Sequence, residues 1–157
     1  MDKVGLILRD LLRGDGFIHV SKALIFAIGN DAALIYSELL SRHGYFETRG
    51  MLTGDGYFFN TIEDLYGGTG LSVFQQRKGI GVLQKVGLID MEVRGIPPKR
   101  YFKILDVAHV LSNLLLEGQA VMKEQVVLGP SHELGIMGVV RSYMKPEKWS
   151  KEGKIDE

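Results

Sequence analysis

Two helix-start signals separated by a run of glycines constrain this chain more than any other feature of its sequence. Asn60-Thr61-Ile62-Glu63 and Ser72-Val73-Phe74-Gln75 both have the form of a capping box. In such a box one polar side chain accepts from an orphan helix N–H, and an acid or amide three residues on reaches back to the cap. The helix opened by the first box, TIEDLY, has room for barely two turns before Gly67, Gly68 and Gly70. Two helices must therefore meet at a tight turn. The second can run to about residue 86, where Gly87 stops it. Upstream, Tyr57-Phe58-Phe59 makes a short strand; downstream, residues 88–94 alternate as a strand, GIPPK turns the chain, and residues 100–105 return. Strand, short helix, glycine turn, longer helix and hairpin make a helix-turn-helix followed by a wing. The expected fold class is α+β: a winged helix-turn-helix extended by N- and C-terminal helices.

The flanks are less sharply written. Residues 3–13 place Val4, Leu8, Leu11 and Leu12 on one side of a short amphipathic helix ended by Gly14 and Gly16. FIHVSKALIFAIG, residues 17–29, is apolar and β-branched enough to be partly extended. Asn30 or Asp31 can cap a helix reaching His43, with Ala32, Ile35 and Leu39 inward, joined by Tyr36 and Leu40. The glycines of residues 44–56 predict a loop or loose hairpin. After the wing, Val107, Leu111, Leu114 and Val121 recur at helical spacing, and a further helix is expected after Pro130, with a charged, disordered tail from Lys145. These boundaries divide the chain into a helical flank and loop (1–56), the winged core (57–105), a helical extension (106–144) and a tail (145–157).

Composition closes several routes. With no cysteine among 157 residues, disulfides, Cys-based zinc sites and thiol catalysis are excluded. No apolar run reaches the roughly 18–20 residues that span a bilayer. The opening segment is broken by Arg9, Asp10 and Arg13 and is no secretory signal. A soluble cytoplasmic protein is the expectation. The formal net charge is zero, yet it is unevenly spread. From Arg77 to Lys103 seven cations face two acids, a +5 stripe in a neutral chain. On counting alone, a solvated charged surface is the better explanation.

Helical geometry separates those readings. At about 100° per residue, Gln76, Gly79, Ile80 and Leu83 share one side of the second helix, while Phe74, Arg77, Lys78, Gly81 and Lys85 share the other. The outward stripe contains no acid. A helix of this kind fits the DNA major groove, where its first turns reach base edges. Arg77 suits guanine, Gln75 adenine, and Phe74 a thymine methyl. Gly81 permits close approach of a phosphate or sugar, Gly79 close packing on the preceding helix. The Ser72 hydroxyl and the helix N-terminus suit a phosphate. Arg94, Lys99 and Arg100 bracket Ile96-Pro97-Pro98 at the wing tip.

The run from Gly56 to Ile104, with GLS-x-x-QQRK-x-I-x-x-L-x-x-x-GLI followed by G-x-P-x-KRYFKI, resembles the winged-helix domain of phage and plasmid replication-initiation and replisome-organiser proteins of Gram-positive bacteria, similar to the DnaD N-terminal domain. With AIGNDAALIYSELLSR upstream, the resemblance extends over some ninety residues. It implies duplex-DNA binding by the second helix and wing, often with self-association, and places Ser72, Gln75, Arg77, Lys78, Lys99 and Arg100 near DNA. The sequence departs from the pattern at Gly79 and Gly81, and its last fifty or so residues match no second domain of such proteins.

Other signals have plainer explanations. His19, His43, His109 and His132 are scattered without metal-ligand spacing. GGTG lacks the Lys-Ser/Thr of a phosphate loop, and Asp15, Asp31, Asp55, Glu63 and Asp64 suit capping or surface positions. Tyr57, Phe58 and Phe59 could stack on bases, though a strand packed beneath the wing explains them better. No catalytic constellation assembles, so neither an enzyme nor a cofactor is expected. The candidate DNA contacts are Ser72, Phe74, Gln75, Arg77, Lys78, Lys85, Arg94, Lys99 and Arg100. A transcriptional regulator on the same domain and a replisome protein–protein module without DNA binding are the alternatives. The surplus apolar helix at both ends predicts a homodimer through Leu111, Leu114 and the N-terminal helix, the alternative being that these helices pack within one chain.

Overall fold

The computed structural model describes residues 3–11 and 16–128. Its elements run α1 (Lys3–Leu11), α2 (Lys22–Ile28), α3 (Asn30–Thr48), β1 (Phe58–Phe59), α4 (Ile62–Thr69), α5 (Val73–Val86), β2 (Ile89–Arg94), β3 (Lys99–Ile104) and α6 (Ala108–Leu128). The expected helix after Pro130 and the charged tail lie outside the described residues. Among the described residues no helix is long and apolar enough to cross a membrane.

The three strands form one antiparallel sheet in the order β1-β3-β2. Phe58 pairs with Phe102, and Ile89 with Ile104. Alternation along the strands sends Phe58, Phe102 and Ile89 into the core, where they meet Ile35, Leu39, Leu65, Leu83 and Leu88. Helices α3, α4 and α5, the three-stranded sheet and the β2–β3 hairpin compose an α+β winged-helix fold.

Five local expectations are corrected. Of residues 17–29, expected to be partly extended, 22–28 form a helix, because Ser21 caps it (Leu24 N–H to Ser21 Oγ, 3.3 Å) and Ala23, Leu24, Ala27 and Ile28 then share a buried face, while 17–21 are not helical. Helix α3 does not stop at His43 but runs through Gly44 to Thr48. Packing outweighs the cost of a helical glycine there: Phe46 is buried and stacks on Phe58 with centroids 5.8 Å apart. Leu40, expected inward on α3, is exposed. The first capping box sits one residue later than expected: Thr61 Oγ1 accepts from Asp64 N–H and Asp64 Oδ2 from Thr61 N–H, at 3.1 and 3.0 Å. Helix α4 also continues past Gly67 and Gly68, ending where Gly70 adopts a left-handed conformation (φ 73°) that favours glycine.

Helices α2 and α6 pack on one another within the chain. Helix α6 crosses α2 at Gly118, so closely that a β-carbon there would stand 1.9 Å from the Ala23 carbonyl oxygen. Leu114 is wholly buried and Val121 nearly so. Leu114 therefore belongs to the core of its own chain, which removes it from the surface expected to meet a second copy. Leu111 is partly buried against the same core. Helix α1, in contrast, leaves Val4, Leu6, Ile7 and Leu8 exposed.

Candidate nucleic-acid interface

Helix α5 owes its start to the second capping box, which forms at the expected residues. Ser72 Oγ accepts from Gln75 N–H (3.2 Å), and Gln75 Oε1 accepts from Ser72 N–H (3.0 Å). Gly87, at φ 83°, closes the other end. Gln76, Gly79, Ile80 and Leu83 are buried as the helical spacing requires. Gly79 packs not on the preceding helix but on α3, where a β-carbon would meet Ile35 Cδ1 at 2.5 Å and the Ala32 backbone nitrogen at 3.3 Å. This contact seats the middle of α5 directly on α3.

The opposite face of α5 is open. Phe74 is 67% exposed, and Arg77 and Lys78 are exposed with no hydrogen bond or ion pair among the described residues. Gly81 has empty space where a β-carbon would stand. Lys85 is exposed in the last turn, where a cation also complements the helix dipole. Val73 and, on α4, Tyr66 add exposed apolar surface to this end of the molecule. The sequence reading passed over both, although a helix position with no core-facing register is a sufficient signal for exposure. Gln75 is engaged in its capping bond through Oε1, which leaves its amide N–H groups as the part able to meet another molecule.

The wing differs from its expected form. Arg94 does not project as a free cation. Its guanidinium pairs with Asp55 at 2.7 Å and Glu92 at 2.9 Å, and lies 4.2 Å from the Tyr57 ring centroid. The hydrogen bond from Arg94, reinforced by one from Thr53, holds the Asp55 carboxyl well below the usual carboxylate range. Tyr57 is buried beneath Arg94, and its hydroxyl donates to Asp90, which raises its ionisation above the usual phenol range. The ring is thus part of the sheet rather than an open stacking platform.

Arg100 is also turned inward. Its Nη2 donates to Gln76 Oε1 at 2.9 Å and its Nε to the Asn60 carbonyl at 3.3 Å, while burial pulls its pKa down. Gln76 in turn donates through Nε2 to the Ile62 and Leu71 carbonyls, at 3.1 and 3.0 Å. One buried amide therefore ties the start of α4, the turn, α5 and β3 together. The sequence showed a glutamine on the core face of α5, and a buried amide needs such partners; its partners lie too far along the chain to be read from spacing. Of the three wing cations only Lys99 is exposed, its Nζ 5.1 Å from the Phe59 ring centroid. Ile96, at the hairpin tip, is fully exposed.

A helix-turn-helix whose second helix presents a basic, acid-free face beside a hairpin wing defines the winged-helix class of this chain. No family model matches the sequence, and no curated protein matches it. Among solved structures the chain is similar to one described as "N-Terminal domain of DNA binding protein", at 19% identity and TM-score 0.49, over 63% of this chain and 80% of that one. It is similar to another described as "Structure of Rep-DNA complex", at 18% identity and TM-score 0.49, over 63% and 81%. These likenesses are remote, and the functional reading rests on the chain's own residues.

Proposed function

We propose that this protein binds duplex DNA, with α5 in the major groove and the wing along the flanking groove, in the initiation or organisation of phage or plasmid replication. The observation that carries DNA binding is the outward face of α5, where Arg77 and Lys78 stand exposed beside Phe74 and Gly81 with no acid on the stripe. The replication setting rests on the sequence resemblance in the QQRK, GLI and KRYFKI segments. Arg77 reads guanine; Lys78, Lys99 and the N-terminus of α5 hold phosphates. Arg94 and Arg100 serve the protein's own architecture instead. The role is binding rather than catalysis, and it calls for no cofactor.

A salt titration of duplex binding tests this. Arg77, Lys78 and Lys99 at about 0.9 counterion each give a slope of log K against log salt of about −3, and Lys85, exposed on the same helix, would bring it to about −4, whereas engaging Arg94 and Arg100 as well would give about −5. Arg77→Ala should lower the slope by about 1 and cost about 1–3 kcal/mol of sequence discrimination. Arg94→Ala should leave the slope unchanged. Absence of binding to any duplex at about 50 mM salt refutes the reading.

A further inference from the structure

The tip of the β2–β3 hairpin carries unusual chemistry for a solvated turn. Residues 95–98 are Gly-Ile-Pro-Pro, and Ile96, Pro97 and Pro98 all stand exposed, Ile96 completely. Turns ordinarily hold Gly, Pro, Asn, Asp or Ser, and a β-branched aliphatic side chain gains nothing from water there. Val93, at the end of β2, is exposed as well. It sits opposite Arg100 in the β2–β3 register, and such cross-strand partners project to the same side of a sheet. Arg100 reaches Gln76 on α5, so that side of the wing is the one turned towards α5. The free end of the wing therefore carries Val93 on the α5 side and Ile96 at its apex. Its arginines are engaged elsewhere, Arg94 with Asp55 and Glu92 and Arg100 with Gln76, which leaves Lys99 as the exposed wing cation.

Size decides what can cover this apex. A stable protein interface buries about 800 Å² on each partner, more than two aliphatic side chains and two prolines offer. A wedge between base pairs needs only one or two side chains, and Ile and Pro are among those that serve so in the minor groove. The prolines lock their own φ, so the apex is stiff and loses little freedom on insertion. We propose that the wing reads the deformability of duplex DNA, with Ile96 entering the minor groove beside the α5 site and wedging between the base pairs of a flexible step. Val93 then lies against the adjoining sugars and Lys99 on a phosphate. This inference rests on the duplex-DNA reading above and adds to it the kind of duplex preferred. Pyrimidine–purine steps such as TA unstack easily, whereas A-tracts are stiff, so the wing selects the former.

The test titrates the full chain into two short duplexes with GC clamps, one alternating T and A, the other an A-tract paired with a T-tract. Each carries 2-aminopurine in place of some adenines, whose fluorescence rises when the base is unstacked. On the alternating duplex the fluorescence should rise to saturation, and the affinity should exceed that for the A-tract by about tenfold, within the range of deformation energies at stake. Ile96→Ala, at a fully exposed position, should keep the urea midpoint and the salt slope. It should lose the fluorescence rise and bind the two duplexes within about twofold of one another. Lys99→Ala should weaken both duplexes alike and keep the rise. No rise on a saturated alternating duplex, or a rise and preference undiminished in Ile96→Ala, would overturn the proposal while leaving duplex binding intact. Absence of binding to either duplex would overturn both the proposal and the reading on which it rests.

Discussion

A single added carbon at Gly118 tests the way the flanking helices are held. The β-carbon of Gly118→Ala would stand 1.9 Å from the Ala23 carbonyl oxygen and 2.7 Å from its carbonyl carbon. Both atoms belong to the backbone of α2, so no rotamer change relieves the overlap. Ordinary contact begins at about 3.5 Å, and the helices would have to part by about 1.5 Å. That parting loosens Leu114 and Val121, which are now shielded from water. A clash with backbone belongs at the upper end of overpacking costs, about 3 kcal/mol. Alanine recovers about 1 kcal/mol of helix propensity. The net loss is about 2 kcal/mol, or a fall in Tm of about 4–8 °C for a chain of this size. Gly81→Ala is the control, because nothing lies within 4 Å of its added carbon. It should keep the propensity gain and raise stability by about 1 kcal/mol. Urea denaturation of the two variants, followed by circular dichroism, should therefore move in opposite directions. A Gly118→Ala protein as stable as the parent would refute the reasoning.

Arg100→Ala should destabilise the fold by about 1–3 kcal/mol, because it leaves Gln76 Oε1 buried without its partner; an unchanged urea midpoint would count against the clamp. Leu114→Asp places a carboxylate at a position with no solvent exposure and should abolish the folded state rather than yield a folded monomer. Near-ultraviolet circular dichroism with sedimentation equilibrium distinguishes these outcomes, and a folded, cooperatively melting variant would return Leu114 to the surface. The depressed Asp55 carboxyl contributes stability that is fully present above the unfolded carboxylate value, about 3.9, and is lost as pH falls through its lower folded value. Carboxyl NMR should show Asp55 titrating below the usual carboxylate range, and Arg94→Ala should bring it back towards that range.

The winged core was legible because its signals are local. A capping box spans four residues, a stop glycine one, and a hairpin pairs neighbours in sequence, so Ser72, Gly87 and the 88–105 hairpin could be read directly. Local signals mislead where distant packing outweighs a local cost. Gly44 sits inside α3 because Phe46 finds Phe58 on the sheet. Asn60 looked like a cap, but its N–H pairs with the Arg100 carbonyl at 3.0 Å and the cap passes to Thr61. The intramolecular seat of α6 was equally hidden. Leu114 shows the same periodicity whether it meets α2 or another molecule, and only the approach of Gly118 to Ala23 decides between them.

The candidate site shows why counting cations along a sequence overstates a binding surface. The +5 stripe assumes that each basic residue faces only the acids near it in the chain. In space Arg94 meets Asp55, 39 residues earlier, and Glu92 two residues before it, so its charge is matched before any ligand arrives. Arg100 lies opposite Val93 in the β2–β3 register and points towards Gln76, where it bonds two internal acceptors. Arg77 and Lys78 escape this fate because of their place on α5. The core fixes Gln76, Gly79 and Ile80 inward, which forces 77 and 78 outward, where neither makes an ion pair among the described residues. Arg94 folds back onto an acid of its own strand and one of the loop before β1, whereas Arg77 and Lys78 point away from the core on the outer face of a seated helix. The exposed charge of the proposed interface therefore resides mainly on α5, and wing substitutions would separate architectural cations from those of the proposed interface: Lys99→Ala should weaken duplex binding while leaving the urea midpoint unchanged.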